Sequence, residues 1–386
     1  MKVPISKPNL ISKDIESINE PLHSGWLVQG PKTREFEEKW SNFINVKHSI
    51  AVTSCTSAMH LSLAAINFEP GDEVIVPALT WISTANVVEH CGGKVIFCDI
   101  DLDTFNIDLN HLINIVTKKT KVIFPVHLFG LSCEMSPLIE FANENNINLI
   151  EDAACGFGSR YFGKHVGTFG RTGCFSFHPR KAITTGEGGM ITTNDDELAE
   201  KIRSLRDHGA KISDLQRHLG PKPYILSDHP YAGYNQRMTD LQGALGSSQM
   251  DRAQTIVNER KALAENYDNK LKHIDWLKTP MSPKNYEHGY QSYVCLFNSE
   301  KIGTNNLEKI NEKRNLFMDK LLTKGISTRP GTHAVHMLHY YKEKYNILPQ
   351  KYFNAYAAYF CSVALPLYNG MSEAEQNYVI DTINDI

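Results

Sequence analysis

The sequence predicts an α/β protein, a sheet covered by helices on both faces, on three observations. Strand-like apolar runs alternate with helical patterns from residue 49 to residue 193. EVIVP at 73–77 has the near-continuous apolar character of a strand buried on both faces. Thr56, Trp81, Asp152, Ser176 and Lys181 all fall in or just after strand ends, where open α/β sheets bind ligands.

Composition narrows the class. A chain of 386 residues is long enough for two domains with a sizeable core. Hydrophobic residues at 41% and charged residues at 22% fit an ordinary soluble globular protein. A net charge of −3 gives no basic excess to hold a phosphate polymer, which argues against nucleic acid as a partner. No apolar run approaches the roughly 20 residues needed to cross a bilayer. The opening MKVPISKPNLISKD has no apolar core of signal-peptide length. A cytoplasmic protein without a membrane partner is expected. The eight cysteines form no C-x-x-C pair, so reduced, mostly buried thiols are expected rather than zinc or dithiol sites.

Taken in order, residues 13–24 place Ile15, Ile18 and Leu22 at helical spacing, which predicts one amphipathic helix. The loop SGWLVQGP follows at 24–31. Its Trp26, between Gly25 and Gly30, either packs locally or lines a substrate entrance. A helix over 33–44 carries Phe36, Trp40 and Phe43 on one face. A strand at 49–52 leads into TSCTSAMH at 53–60, which opens the apolar helix 58–66. Free N–H groups at a helix start attract anions, and hydroxyls add donors, so this is a candidate phosphate site. The alternative is plain N-capping by Thr56 or Ser57.

The strand at 73–77 is followed by LTWISTAN at 79–86, which opens another helix. Strands at 94–98 and 121–126 follow, and a helix at 136–145 leads to the strand 148–151, which closes on Asp152. Two more strands read at 174–177 and 190–193. A polar helix spans 195–206, and 211–230, rich in Pro, His and charge, reads as a loop. GYNQRMTD at 233–240 precedes a helix over 241–250, and the helical pattern continues over 251–274. A strand at 293–297, a helix at 305–324 and a final helix after Ser372 complete the chain. The division read from this pattern is a large domain over 1–248 and a smaller α+β domain over 249–386.

Within 175–190, FSFHPRKAITTGEGGM, an aromatic run leads to a single lysine, Lys181, and then to Gly186, Gly188 and Gly189. A lysine between a packed strand end and a glycine turn suits covalent chemistry. Burial lowers its pKa, and a neutral amine condenses with a carbonyl. Taken alone, the alternative is a solvated surface charge.

At these residues the chain resembles the sugar aminotransferases of the DegT/DnrJ/EryC1/StrS family, pyridoxal 5'-phosphate (PLP) enzymes of the aspartate aminotransferase fold, fold type I. The resemblance spans nearly the whole chain. It is carried by SGWLVQGP at 24–31, TSCTSAMHL at 53–61, LTWISTAN at 79–86, EDAACGFGS at 151–159, FSFHPRKAITTGEGGM at 175–190 and GYNQRMTD at 233–240. It implies a large mixed sheet with helices on both faces plus the smaller C-terminal domain. It implies that Lys181 binds PLP covalently, Asp152 pairs with the protonated pyridine nitrogen and Trp81 stacks on the ring. Thr56, Ser57 and Ser176 would hold the phosphate. Asn235 would reach the phosphate from a neighbouring subunit, making a homodimer with shared active sites, and Arg237 would lie on the substrate side of that interface.

The chain differs from the family pattern at Cys155, where Gln or His commonly reaches the cofactor's phenolic oxygen. A thiol is a weak donor, so a weak or absent contact is expected there. His333, His336 and His339 recur every third residue without an evident acidic or cysteine companion, and no metal site is predicted. Arg329 and His333 are read as lining for a substrate carboxylate or phosphate, with surface solvation as the alternative. His178 is either structural or touches substrate.

The activity implied is a two-step amino transfer from L-glutamate, or glutamine, to the keto group of a nucleotide-linked keto-deoxysugar, supplying amino sugars for surface polysaccharide. A smaller phosphorylated ketone is the alternative acceptor. Two other classes compete. PLP-dependent sugar dehydratases among the family's relatives carry His where this chain has Lys181. A catalytically silent binding homologue would not require Lys181, Asp152 and Asn235 together.

Overall fold

Seven strands pair into one mixed sheet in the computed structural model, which describes residues 1–212, 224, 226–297 and 302–386. In spatial order they are His48–Val52, Gly189–Thr193, Thr172–Ser176, Asn148–Asp152, Thr120–Ile123, Glu73–Pro77 and Lys94–Cys98. The first two pairings are antiparallel and the other four parallel. Alternation along each strand sends successive side chains to opposite faces. Val74 and Val76 pack with Ala58, Leu61, Ala85 and Val88 from the helices Cys55–Ala65 and Ser83–His90. Ile75 faces the other way, onto Leu112 and Leu138 from Leu109–Ile115 and Met135–Glu144. Both faces are therefore covered, as the sequence predicts, and the strand ends remain the accessible edge.

A smaller antiparallel sheet, Leu277–Lys278, Tyr293–Phe297 and Ser362–Leu365, lies toward the C-terminus. It shares an apolar cluster with residues of the helices Ala253–Leu271, Leu307–Thr323 and Glu373–Asn384. The first residues of the chain join this cluster. Val3 is buried in it, donates its N–H to Gly325 O at 2.9 Å and accepts from Ser327 N at 2.9 Å.

Some local expectations change. The single helix expected over 13–24 is two, Ser12–Glu16 and Asn19–Ser24. Pro21 has no N–H to give to the carbonyl of Ser17, and its ring crowds that carbonyl, so one continuous helix is excluded. The buried residue of the first helix is Asp14, while Ile15 and Leu22 are exposed. The helical run expected to continue past Met250 breaks at Asp251 and Arg252, whose N–H groups bond three residues back to Ser248 O and Gln249 O. Arg252 instead turns its guanidinium to Asp14 Oδ2 at 2.7 Å and Asn9 O at 2.5 Å. The strand expected over 121–126 is Thr120–Ile123. Phe124 still bonds Ile75 O, but Pro125 has no N–H with which to extend the ladder. Of the predicted loop at 211–230, residues 213–223 and 225 lie outside the described residues.

Two distant motifs are locked together by Asp240, a buried carboxylate. It accepts from Gly30 N at 2.7 Å, Lys32 N at 3.0 Å and Thr33 N at 2.8 Å, and from the Thr33 hydroxyl at 2.8 Å. Those N–H groups belong to the start of the helix Pro31–Ile44, which has no internal acceptors for them. Asp240 thus caps a helix some two hundred residues away and fixes the 24–30 loop against 233–240. Asp240→Ala should cost about 2–4 kcal/mol, because several buried donors lose their acceptor together. Urea unfolding checks this. A change below about 0.5 kcal/mol would show that water replaces the carboxylate.

Candidate active site

Register brings the site's parts to neighbouring strand ends. Val52 pairs with Gly189, Gly189 with Ser176, and Asp152 with Cys174. The turn after Val52, the Ser176 hydroxyl and the Asp152 carboxylate therefore share one edge of the sheet. A Cβ on Gly189 would lie 2.4 Å from the Ser54 carbonyl carbon, so only glycine lets that turn settle here. Ser54, rather than Thr56 or Ser57, is the N-cap of the helix Cys55–Ala65, its hydroxyl accepting from Ser57 N at 3.0 Å. Thr56 and Ser57 occupy the first turn instead. Ser57 Oγ lies 2.9 Å from Thr53 Oγ1. The N–H groups of Cys55 and Thr56 open the helix with no intrahelical carbonyl, and hydroxyls surround them.

Asp152 is only 4% exposed. Its Oδ2 accepts from Thr84 Oγ1 at 2.7 Å and its Oδ1 from Ala154 N at 3.1 Å. Thr84, which sequence reasoning passed over, is a buried residue whose hydroxyl is also 3.2 Å from Trp81 O. Its signal was present in LTWISTAN, one helical turn after Thr80. Trp81 is 59% exposed. Its ring meets His333 edge-on, with centroids 5.4 Å apart and planes at 72°. His333 arrives there because His333–Ala334 pairs antiparallel with Leu79–Thr80.

Lys181 follows a tight turn in which its N–H donates to His178 O at 2.8 Å. Its Nζ lies 3.2 Å from Cys155 Sγ. His178 Nδ1 accepts from Arg180 N at 3.2 Å, and burial lowers its pKa, so the ring serves the turn as a neutral acceptor. Ser176 Oγ accepts the His178 N–H at 3.4 Å. A small cavity beside Lys181 is bordered by Cys155, Ser176, Phe177 and, from the C-terminal part of the chain, Gln291.

The remaining candidates hold other positions. Trp26 packs on its own turn, with Nε1 donating to Gln29 O at 3.3 Å, and a Cβ on Gly30 would collide with its ring at 1.8 Å. Asn235 is exposed on a loop tied to the sheet by Thr53 N donating to Gln236 O at 3.1 Å. Arg237 is ion-paired with Asp207. Arg329 is exposed, and its backbone pairs with Ala364 in the smaller sheet. His336 is buried and its Nε2 lies 3.0 Å from Pro349 O, so the three histidines do not converge. Among the described residues no group of three His, Cys, Asp or Glu is placed to hold a metal ion.

This donor set fits PLP. Asp152 uses one lone pair of each oxygen on Thr84 and Ala154, leaving others for a ring N–H. Lys181 offers an amine, and the 54–57 turn with Ser176 offers N–H and hydroxyl donors for a phosphate.

The model of the DegT/DnrJ/EryC1/StrS aminotransferase family matches residues 8–384. The chain is 36% identical over 385 residues to the spore coat polysaccharide biosynthesis protein SpsC of Bacillus subtilis, covering 100% of this chain and 97% of that one. It is 34% identical to the GDP-perosamine synthase of Escherichia coli O157:H7, covering 99% and 98%. The solved PLP form of the sugar aminotransferase Spr1654 of Streptococcus pneumoniae, itself described as putative, superposes with a TM-score of 0.90 at 28% identity, covering 100% and 98%. The chain belongs to the DegT/DnrJ/EryC1/StrS aminotransferase family, and it is a PLP-dependent aminotransferase of fold type I.

Proposed function

We propose that this aminotransferase moves an amino group from L-glutamate, or glutamine, to the keto group of a nucleotide-linked keto-deoxysugar, in the making of surface polysaccharide. One observation carries the amino-transfer chemistry. The register Val52–Gly189–Ser176, with Asp152 beside Cys174, gathers a helix start with free N–H groups, a hydroxyl and a buried carboxylate at the sheet edge next to which Lys181 follows. The acceptor class is supported by the relatives' names, one carrying a GDP-linked sugar and the other a polysaccharide.

Bound PLP supplies an aldehyde carbon that can store the amine and a ring that draws electrons from the bonds around it. Lys181 would hold that carbon at rest. With the donor's amino group in its place, the Lys181 amine would be the base that takes the proton from the donor's α-carbon and the acid that returns it at the cofactor's C4′ carbon. Cys155, a weak hydrogen-bond partner, leaves this amine free to turn. Asp152 keeps a proton on the ring nitrogen, since an adjacent opposite charge shifts a pKa by about 1–3 units. Thr84 orients that carboxylate. Thr56, Ser57 and Ser176 would bind the phosphate and Trp81 would stack on the ring, with His333 bracing Trp81 edge-on. Trp26, His178, Arg237 and Arg329 stand as outer candidates for substrate contact.

The site is shared in a homodimer on this reading, with Asn235 of the partner subunit reaching the phosphate. Support comes from the exposure of Asn235 on a loop whose neighbours, Gln236 and Arg237, are fixed to the sheet. The chain division 1–248 and 249–386 is part of the same reading, supported by the helix break at Asp251. No helix among the described residues is long and apolar enough to cross a membrane. A cytoplasmic location is part of the same proposal.

The function is tested by loading the enzyme with the amine form of the cofactor and offering nucleotide keto-sugars and phosphorylated ketones in parallel. The violet absorption should return with a nucleotide keto-sugar, and Lys181→Ala should show no borohydride-reducible link to PLP. Return with phosphorylated ketones alone overturns the acceptor assignment. Thr84→Val, which removes a hydrogen bond to a buried carboxylate, should weaken PLP retention by about tenfold, or about 1.4 kcal/mol. Dialysis followed by the visible spectrum measures this, and retention equal to wild type removes Thr84 from its role. Mixing inactive Lys181→Ala and Asn235→Ala chains should restore one intact site per mixed dimer. If subunits exchange and no activity returns, Asn235 does not act across the interface.

A further inference from the structure

We propose that Gln291 is a positioning residue for Lys181 and that the buried guanidinium of Arg260 sets Gln291 in place. The inference rests on Lys181 as the attachment point and adds a control that reaches it from the other end of the chain.

Gln291 is the single lining residue of the Lys181 cavity that lies beyond residue 183, among the described residues. Its amide Nε2 donates to Arg180 O at 3.4 Å, next to Lys181, while its Oε1 accepts from the Ser292 hydroxyl at 3.1 Å. The contact to Arg180 is long, so its effect depends on how firmly Gln291 is held. The backbone around it is held from two sides. On one side Gly289 N donates to Gly130 O at 2.8 Å, and a Cβ on Gly130 would lie 2.8 Å from Tyr290 N. On the other, Arg260 donates from Nε to Tyr290 O at 2.9 Å and from Nη2 to Gln291 O at 2.7 Å. The same guanidinium reaches Asn369 Oδ1 at 3.1 Å and Leu367 O at 3.4 Å.

Two features set this arrangement apart from ordinary packing. Arg260 is 3% exposed, yet among the described residues every acceptor it meets is a neutral carbonyl oxygen. Desolvation brings its pKa down to about 10. A buried cation without a carboxylate is costly, and apolar residues of similar volume often stabilise as well. What the planar fork adds is geometry, since it fixes consecutive carbonyls at once. The second feature is Tyr290, which sits at φ 46°. A bulky residue in the left-handed region is strained and persists where its surroundings over-determine it. Its ring stacks on His288 with centroids 4.0 Å apart and planes at 8°. The strained residue directly precedes Gln291 and orients it.

The test uses the full chain freed of cofactor. PLP is added, the link to Lys181 is trapped with borohydride over time, and the Lys181 peptide is quantified by mass. Gln291→Ala should slow capture about five- to tenfold at an unchanged unfolding midpoint. Arg260→Met should slow it similarly, and the double variant should be no slower than the slower single, because both changes remove one device. Arg260→Lys should not restore the rate, since one ammonium cannot span both carbonyls. Capture by Gln291→Ala at the wild-type rate overturns the inference, as do effects that multiply in the double variant. Should Arg260→Met fail to fold, Gln291→Ala and Arg260→Lys decide. Failure of the wild type to be trapped at Lys181 overturns the attachment point itself, an outcome distinct from equal rates in wild type and variant.

Discussion

The site depends on one close approach of backbone to backbone, the Ser54 turn against Gly189. No side chain can stand between them, since the space for a Cβ is already taken by the Ser54 carbonyl. Because the contact is steric, it is set by strand register rather than by any attractive group. Shifting the strand Gly189–Thr193 by one residue would move Gly189 away from Val52 and turn each of its side chains to the opposite face. The apolar clusters on both faces oppose that shift. Hydrophobic burial therefore pins the register, the register places the glycine, and the glycine admits the helix start that can face an anion.

A second layer of order lies behind the sheet edge. Glu151, adjacent to Asp152, points to the opposite face and is fully buried. Its carboxylate accepts from Gly167 N at 2.6 Å, Phe169 N at 2.7 Å and Gly170 N at 2.6 Å, and from His127 Nε2 at 2.9 Å. Desolvation acts to raise its pKa, but these donors outweigh it and hold the carboxyl below its ordinary value. The two neighbouring acids thus divide the work. Glu151 spends its acceptor capacity on the scaffold, while Asp152 keeps part of its own in reserve.

Much of this was legible in the sequence, and the reasons are local. Strands buried on both faces announce themselves as apolar runs, and the glycines of 186–189 mark a tight return. The split of the first helix was missed, although Pro21 already argued against one unbroken helix over 13–24. Thr84 was harder, because a threonine in a helix's first turn reads as ordinary until a carboxylate from another strand is brought beside it. Arg260 and Gln291 carried no local signal. Arg260 reads as one more polar residue on a charged helix, and only the folded chain shows it buried among carbonyls. The meeting of Trp81 with His333 depends on a two-residue pairing between segments some two hundred and fifty residues apart, which no periodicity reports.

The parallel bridge between Val3 and Ile326 has a consequence for the order in which the molecule is made. Val3 pairs with a residue synthesised some three hundred positions later and is buried among that residue's neighbours. The large sheet can assemble while synthesis proceeds, since its strands lie between residues 48 and 193. The segment around Val3 must wait until the smaller sheet and its helices have emerged. Closing so long a loop carries an entropic cost that grows only slowly with length. The delay is therefore a matter of timing rather than of final stability, and it makes the seating of the segment around Val3 a late event.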